Sequence, residues 1–207
     1  KFLDHINDND ISDLLITAGK KLLENQKNKH WLKLISKKGF KTSADYKMHK
    51  LLFEGLTKIT PNIKIFSEEV PHHINERPDL YWLIDPIDGT ASWADGYSGF
   101  VNQIALIYKK KSMLGFIYWP SEDIIWMAKY NKGVFLNKIK IKCPLFKKKD
   151  LILIDNYPDP RGIALEVISN VENIVYKECG SIGLKAILTL TQEADIFIKN
   201  SVFRDWD

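Results

Sequence analysis

The chain is poor in the residues that would mark a disulfide scaffold, a nucleic-acid surface or a membrane span. Its 207 residues include only two cysteines, Cys143 and Cys179. Two are too few for a disulfide framework, and neither sits in metal-binding spacing. Both read as reduced and structural, which makes the cytoplasm the default location. Arginine occurs only at 77, 161 and 204, and no stripe mixes arginine with stacking aromatics, so no nucleic-acid polymer is expected as a partner. No apolar run is long enough to cross a bilayer, nothing at the start reads as a signal peptide, and no membrane partner is expected. Internal repeats and low-complexity tracts are also lacking.

What is present is an ordinary globular composition, 45% hydrophobic and 27% charged, with enough chain for a sizeable core. The formal charge of +4 comes from lysine in short runs such as Lys109-Lys110-Lys111 and Lys147-Lys148-Lys149. These read as solvated loop ends and favour anionic substrates only weakly.

Ile11, Leu14, Leu15, Ala18, Leu22 and Leu23 recur at helical spacing, with Asn9 or Asp10 as the expected cap. A second helix is predicted over 43–58, with Met48, Leu51, Leu52 and Leu56 on one face and Thr60-Pro61 ending it. Ile63 to Phe66 alternates like a short strand and runs into Ser67-Glu68-Glu69. Tyr81 to Ile84 reads as a buried strand ending at Asp85-Pro86-Ile87-Asp88-Gly89-Thr90. Strands follow at 100–108, 114–119, 124–130 and 134–136, separated by short connections that suggest an antiparallel meander. Beyond a lysine-rich stretch, strands at 151–154, 173–178 and 195–199 alternate with helices at 160–169 and 182–192. The expected fold is therefore α+β and α/β. Residues 1–142 would lay two helices on a mostly antiparallel sheet, and residues 143–207 would form a smaller α/β region.

Twice a strand delivers acids: Glu68 and Glu69 after the first, Asp85 and Asp88 after the second. Carboxylates at strand ends can converge at one sheet edge. Pro86 fixes φ and Gly89 permits a tight backbone, so the turn can aim both aspartates at one point while exposing the Gly89 and Thr90 amides. Hard oxygen ligands select Mg²⁺, Mn²⁺ or Ca²⁺, and a pair of such ions can activate water and stabilise a leaving phosphate-ester oxygen. The plainer alternative is a turn and nothing more, since these residue types favour turns. His72 and His73 lack partners at ligand spacing and read as surface loop. The tryptophans at 82, 93, 119 and 126 read as core on or beside strands.

Four ordered blocks, Thr42-Ser43-Ala44-Asp45, Ser67-Glu68-Glu69, Asp85 to Thr90 and Trp206-Asp207, together with Gly115 and Gly180-Ser181, resemble the inositol monophosphatase superfamily. That superfamily includes inositol monophosphatases, 3′(2′),5′-bisphosphate nucleotidases and a type of histidinol phosphatase. The resemblance implies a layered α-β-α-β-α sugar-phosphatase-like architecture and a metal-dependent phosphatase acting on a small phosphorylated substrate. It places Glu68, Asp85 and the Ile87 carbonyl on a first metal, and Asp85, Asp88 and Asp207 on a second, with two or three Mg²⁺ ions in all and Mn²⁺ as the substitute. Thr90 and Glu68 would orient the attacking water, Asp45 would assist a third ion or its waters, and Gly89 and Thr90 amides would hold the phosphate, with Asp88 alongside.

Ser181 and Lys185 are expected to bind phosphate or substrate. Lys185, four residues after Ser181, resembles a lysine of the nucleotidase branch, and Thr42-Ser43-Ala44-Asp45 leans the same way, although Lys185 on a helix can equally snorkel to solvent and Ala91-Ser92 departs from that branch. Without the family, Asp45 is an ordinary early-helix residue, and Glu69 reads as an outer or solvated acid. Trp206 would pack beneath the site. Gln192 stands where relatives often end the helix with glycine. The chain opens on Lys1 and stops at Asp207 where the family continues, so a piece of a longer protein is expected. Homodimers and lithium sensitivity are common in the family. A general inositol-phosphatase-like monoesterase is the first reading and the nucleotidase the second; a non-catalytic, metal-binding or regulatory relative is the reading of a different class. Convergence of Glu68, Asp85 and Asp88 is the geometric criterion.

Overall fold

In a computed structural model, the structure describes residues 6–28, 41–70, 77–142, 150–199 and 204–206. Two helices open the chain. Helix α1 (Asp8–Lys27) buries Ile11, Leu15, Ala18 and Leu22 along one stripe, the spacing expected of an amphipathic helix. Its cap is Asn7, whose side chain accepts from the Asn9 amide at 3.0 Å; Asn9 and Asp10, expected at the cap, lie inside the first turn. There Asp8 and Asp10 complement the helix dipole. Helix α2 (Ser43–Ile59) buries Ala44, Asp45, Met48, Leu52 and Leu56. It starts in a capping box of Thr42 with Asp45, which satisfies two otherwise orphaned amides.

Both helices lie on one face of a seven-stranded sheet. Its strands are β1 (Lys64–Ser67), β2 (Leu80–Asp88), β3 (Val101–Tyr108), β4 (Lys111–Trp119), β5 (Ile124–Lys129), β6 (Gly133–Leu136) and β7 (Ile139–Ile141), in that spatial order. Only the β1–β2 pair is parallel; every later pair is antiparallel. The main core forms between helices and sheet, where Leu15, Leu22, Met48 and Leu52 meet Trp82, Ile84, Leu106, Phe116 and Tyr118. The meander carries one more strand than expected, β7.

Strand β2 does not stop at the aspartate motif. It runs on through Asp88, with its register against β3 broken between Asp85 and Asp88. Directly after it comes a five-residue helix, α3 (Thr90–Ala94), for which the sequence pattern showed no signal. Trp93, expected near a strand, is buried in this helix and donates to the Leu22 carbonyl at 3.1 Å.

The remaining chain forms β8 (Leu151–Asp155), α4 (Ile163–Asn170), β9 (Ile174–Glu178), α5 (Ile182–Leu190) and β10 (Ile196–Phe197). These strands form a parallel sheet in the order β10-β8-β9. Parallel neighbours need crossovers, here α4 and α5, and the two crossovers run in opposite directions across the sheet. Right-handed connections therefore put the two helices on opposite faces. Helix α5 packs between the two sheets, its Leu184, Ile187 and Leu188 joining Val101 and Trp126 of the large sheet and Ile154 of the small one. The layered α-β-α-β-α order follows. No helix among the described residues is long and apolar enough to cross a membrane.

Candidate active site

The parallel β1–β2 pair is the reason two acids meet. Parallel strands end at the same edge of a sheet, and Ser67 is in register with Ile84, so the next residues, Glu68 and Asp85, emerge side by side. The Glu68 amide extends the ladder to the Ile84 carbonyl at 3.2 Å. The two carboxyl groups hydrogen-bond each other. Burial pushes the Glu68 carboxyl up to about 7, Lys41 opposes the rise, and Glu69 and Asp45 add to it as like charges. Asp85, almost fully buried, also accepts the Ile87 amide on Oδ1 at 3.1 Å, which fixes the turn inside the motif. Across the register break, Asn102 Nδ2 donates to the Pro86 carbonyl.

Asp45 and Thr90 form the opposite wall. Asp45 is buried, so the reading as an ordinary exposed helix residue does not hold. Its Oδ2 accepts from Thr42 N at 2.6 Å and Thr42 Oγ1 at 2.8 Å. Its Oδ1 faces Thr90 Oγ1 at 2.9 Å, and the same hydroxyl lies 3.0 Å from the Ile87 carbonyl. Thr90 has one proton to offer, so it serves one of these acceptors at a time.

Asp88 turns towards α5. Its Oδ2 accepts from Ser181 Oγ at 2.6 Å and from the Gly183 amide at 2.8 Å. Ser181 caps α5 by accepting from Leu184 N at 2.9 Å, so a helix from the second sheet region clamps the end of β2. Gly183 must lack a side chain there, because a Cβ would lie 2.1 Å from Gln103 Oε1. At the other end of the motif Gly89 has φ 90°, a conformation open to glycine, and a Cβ would press 2.7 Å from the Gly99 carbonyl. Gly89 starts α3 without a side-chain cap. A cavity of about 350 Å³ opens beside it, bounded by Gly89, Thr90, Asp95, Tyr97, Asn156 and Tyr157.

Lys185 does not snorkel. It is fully buried, its ammonium donates to Asn156 Oδ1 and stands 4.0 Å from Asp155, and burial lowers its pKa. A lysine can be held there because β8 ends at Asp155 and places these two acceptors over it. Glu69 is not solvated either: its side chain is 9% exposed and paired with Lys41 Nζ at 3.1 Å. Cys179 is free and buried, its thiol pushed up to about 12 by burial, in line with a structural role. His72, His73, Cys143 and Asp207 lie outside the described residues. Trp206 is described, and its carbonyl accepts from Gln103 Nε2 at 2.7 Å. Gln103 pairs with Asp85 across β2 and β3, so the chain's last residues return to the motif.

Several participants gave little sequence signal. Thr42 belongs to a matched block, yet its capping of Asp45 needs the helix start to be located. Lys41, Asn102, Gln103 and Asn156 carry no motif at all. His49, on α2, lies 2.9 Å through Nδ1 from Ser67 Oγ, which also receives the Glu69 amide at 3.2 Å and so braces the turn after β1. Burial lowers the His49 pKa.

Glu68 and Asp85 suit a hard divalent cation in donor chemistry, being a half-buried and a buried carboxyl held against each other. Asp88 is occupied with α5, and among the described residues no group of three or more His, Cys, Asp or Glu able to hold a metal forms.

The sequence profile of the inositol monophosphatase family matches residues 9–207. A 3′(2′),5′-bisphosphate nucleotidase CysQ of Salmonella typhimurium is 37% identical over 94 residues, 44% of this chain and 38% of that protein. The CysQ of Buchnera aphidicola is 28% identical over 80% of this chain and 64% of its own length. The chain thus spans less than two thirds of the length of these curated relatives. Among solved structures, the extragenic suppressor protein suhB of Bartonella henselae superposes with a TM-score of 0.77 at 23% identity, covering 96% of this chain and 80% of that one. A Thermotoga maritima IMPase gives 0.71 at 26% identity, over 89% and 72%. Matched along almost its whole length, the chain belongs to the inositol monophosphatase family.

Proposed function

We propose that the protein hydrolyses the phosphate monoester of a small molecule in a Mg²⁺-dependent reaction. The observation that carries this reading is the Glu68–Asp85 carboxyl pair, with Glu68 raised to about 7 beside the Asp45–Thr90 hydrogen bond. Glu68, Asp85, the Ile87 carbonyl, Asp88 and Asp207 would hold the ions, with Mn²⁺ as the substitute for Mg²⁺. Bound there, such ions supply an activated water and neutralise the leaving oxygen.

The chain's own groups do the rest. Glu68 would accept a hydrogen bond from a water in its reach and help to orient it. Thr90 gives its proton to Asp45, which leaves the Oγ1 lone pairs to receive a water hydrogen and orient that water. Gly89 and Thr90, at the start of α3, would present their amides to the phosphate oxygens. Ser181 and Gly183 hold Asp88 in one rotamer, so β2 keeps its end fixed during the reaction. The cavity beside Gly89 is lined by Tyr97, Asn156 and Tyr157 and would receive the group that leaves.

The similarity to CysQ proteins favours a second reading, a 3′(2′),5′-bisphosphate nucleotidase. Lys185 would then act through Asn156, which lines the cavity. Phosphate release with and without Mg²⁺ tests both readings, on inositol 1-phosphate, adenosine 3′,5′-bisphosphate and histidinol phosphate. Turnover only with Mg²⁺ is expected, and the preferred substrate separates the two. Turnover without metal, or on none of the three, overturns the mechanism. Inhibition by lithium and a cytoplasmic location belong to the same proposal.

A further inference from the structure

We propose that Lys41 is a built-in counter-cation of the acidic cluster, which sets how tightly the site takes divalent ions. The inference rests on the metal-dependent reading above.

Lys41 stands immediately before the α2 capping box. The Thr42 amide is locked to Asp45 Oδ2 at 2.6 Å, so the backbone that launches the lysine is fixed. From there the ammonium reaches across to the turn after β1. It meets Glu69 Oε2 at 3.1 Å and donates to the Glu68 carbonyl at 3.3 Å. The lysine side chain is 32% exposed and that of Glu69 is 9% exposed, so the pair is far less open to solvent than an ordinary surface ion pair. Charge makes the position consequential: Glu68, Asp85, Asp45 and Glu69 crowd one neighbourhood, and Lys41 is the cation that acts on Glu68.

A fixed positive charge here has two effects of the same sign on a divalent ion. It repels the ion directly, and it occupies Glu69, which would otherwise add a carboxylate oxygen to the cluster. A fixed positive charge close to a bound cation acts on it strongly where the surroundings are less polar than water. The partial exposure of Lys41 reduces this. An effect on the order of tenfold in Mg²⁺ affinity remains.

The test measures Mg²⁺ binding by titration calorimetry, and independently by the rise of the thermal midpoint with added Mg²⁺. It uses the parent chain, Lys41→Met, Lys41→Gln, Lys41→Arg and Lys129→Met. Lys129 forms a comparable ion pair with Asp8 at 2.9 Å, so its removal controls for net charge. Lys41→Met and Lys41→Gln should tighten Mg²⁺ roughly tenfold and lower the midpoint in metal-free buffer. Lys41→Arg keeps the charge and should stay near the parent, as should Lys129→Met.

Equal affinity in the parent and both neutral Lys41 variants overturns the proposal while leaving the metal-dependent reading intact. The same holds if Lys129→Met shifts affinity as much as they do. A parent chain that binds no Mg²⁺ overturns the metal-dependent reading, and the role of Lys41 falls with it.

Discussion

Two sets of acids lie within one motif's reach, and they are held in different ways. Asp45 and Asp88 face donors: Thr42 and Thr90 for the first, Ser181 and the Gly183 amide for the second. Glu68 and Asp85 face each other. A buried carboxylate surrounded by N–H and O–H groups is a finished structural element, because the hydrogen bonds replace the water it lost. The Glu68–Asp85 contact, tempered by Lys41 near the first and by the Ile87 amide on the second, still concentrates negative charge at one point. Asp45 is thus a brace, Glu68 and Asp85 are proposed as a seat for a cation, and Asp88, braced through Oδ2, is proposed to serve as both.

The largest expected effect comes from breaking the second kind. Asp85→Asn removes a ligand charge with almost no change of volume. Activity should fall by more than about 100-fold, since even the outer partners of a metal site are worth roughly 10–100-fold. The folded state should not suffer in metal-free buffer, because the amide relieves the contact between two acids. Phosphate release and thermal denaturation of the same preparation check both halves. A variant that loses stability in step with activity would place Asp85 among the braces.

Removing a brace should do the reverse. Asp88→Ala strands the Ser181 hydroxyl and the Gly183 amide at a buried helix start, at a cost of about 1–3 kcal/mol, read by chemical denaturation. Asp88→Asn can still offer its carbonyl oxygen to both donors and should stay close to the parent in stability while losing activity. If Asp88→Ala were neutral, the clamp between β2 and α5 would be dispensable and the comparison would fail on that side.

The pH dependence reports on Glu68. Glu68 titrates near 7, above the ordinary 4.5, so its contribution to stability is fully present below about 4.5 and is lost as pH rises through about 7. Without metal, stability should decline between about pH 4.5 and about 7, by on the order of 1–2 kcal/mol after screening. Glu69, also raised by burial, adds in the same direction. His49, lowered by burial, opposes, since its stability is lost as pH falls. The difference between the parent and Glu68→Gln therefore isolates Glu68. That variant should show a flatter profile, and millimolar Mg²⁺ should flatten the parent's.

Much of this arrangement was legible in the sequence, for reasons that differ by element. Helical spacing marked α1 and α2 because each buries a single stripe against the sheet. Runs such as Leu151 to Ile154 marked the small parallel sheet because such strands are covered on both faces. Glu68 and Asp85 were visible because strand ends are places where acids collect, and their juxtaposition needed only the parallel pairing of β1 with β2. The continuation of β2 through Pro86 was not legible. Proline and aspartate favour turns, and only the register break opposite Gln103 and the Asn102 contact let the strand pass through them. Lys185 was ambiguous for a similar reason. An apolar helix face says that a lysine stem is covered, but its head is retained inside only because Asn156 and Asp155 arrive from another strand.

The smallest prediction concerns the far end of the helix that clamps Asp88. Helix α5 ends at Leu190 with Thr191 as its cap, and Gln192 follows with φ 60°. This is the left-handed position where helices prefer glycine. A residue with a Cβ pays roughly 1 kcal/mol or slightly more in this conformation, part of which the lower unfolded-state entropy of glutamine offsets. Gln192→Gly should therefore stabilise the chain by about 0.5–1 kcal/mol, measured as a rise in the denaturation midpoint with no change in slope. Because the substitution tightens α5 from the end opposite Ser181, it should leave Mg²⁺ affinity unaltered and partly compensate Asp88→Ala in the double variant. Compensation would place the clamp and the C-terminal cap in one cooperative unit. Strict additivity would mean that the N-terminal turn of α5 holds Asp88 independently of how the helix ends.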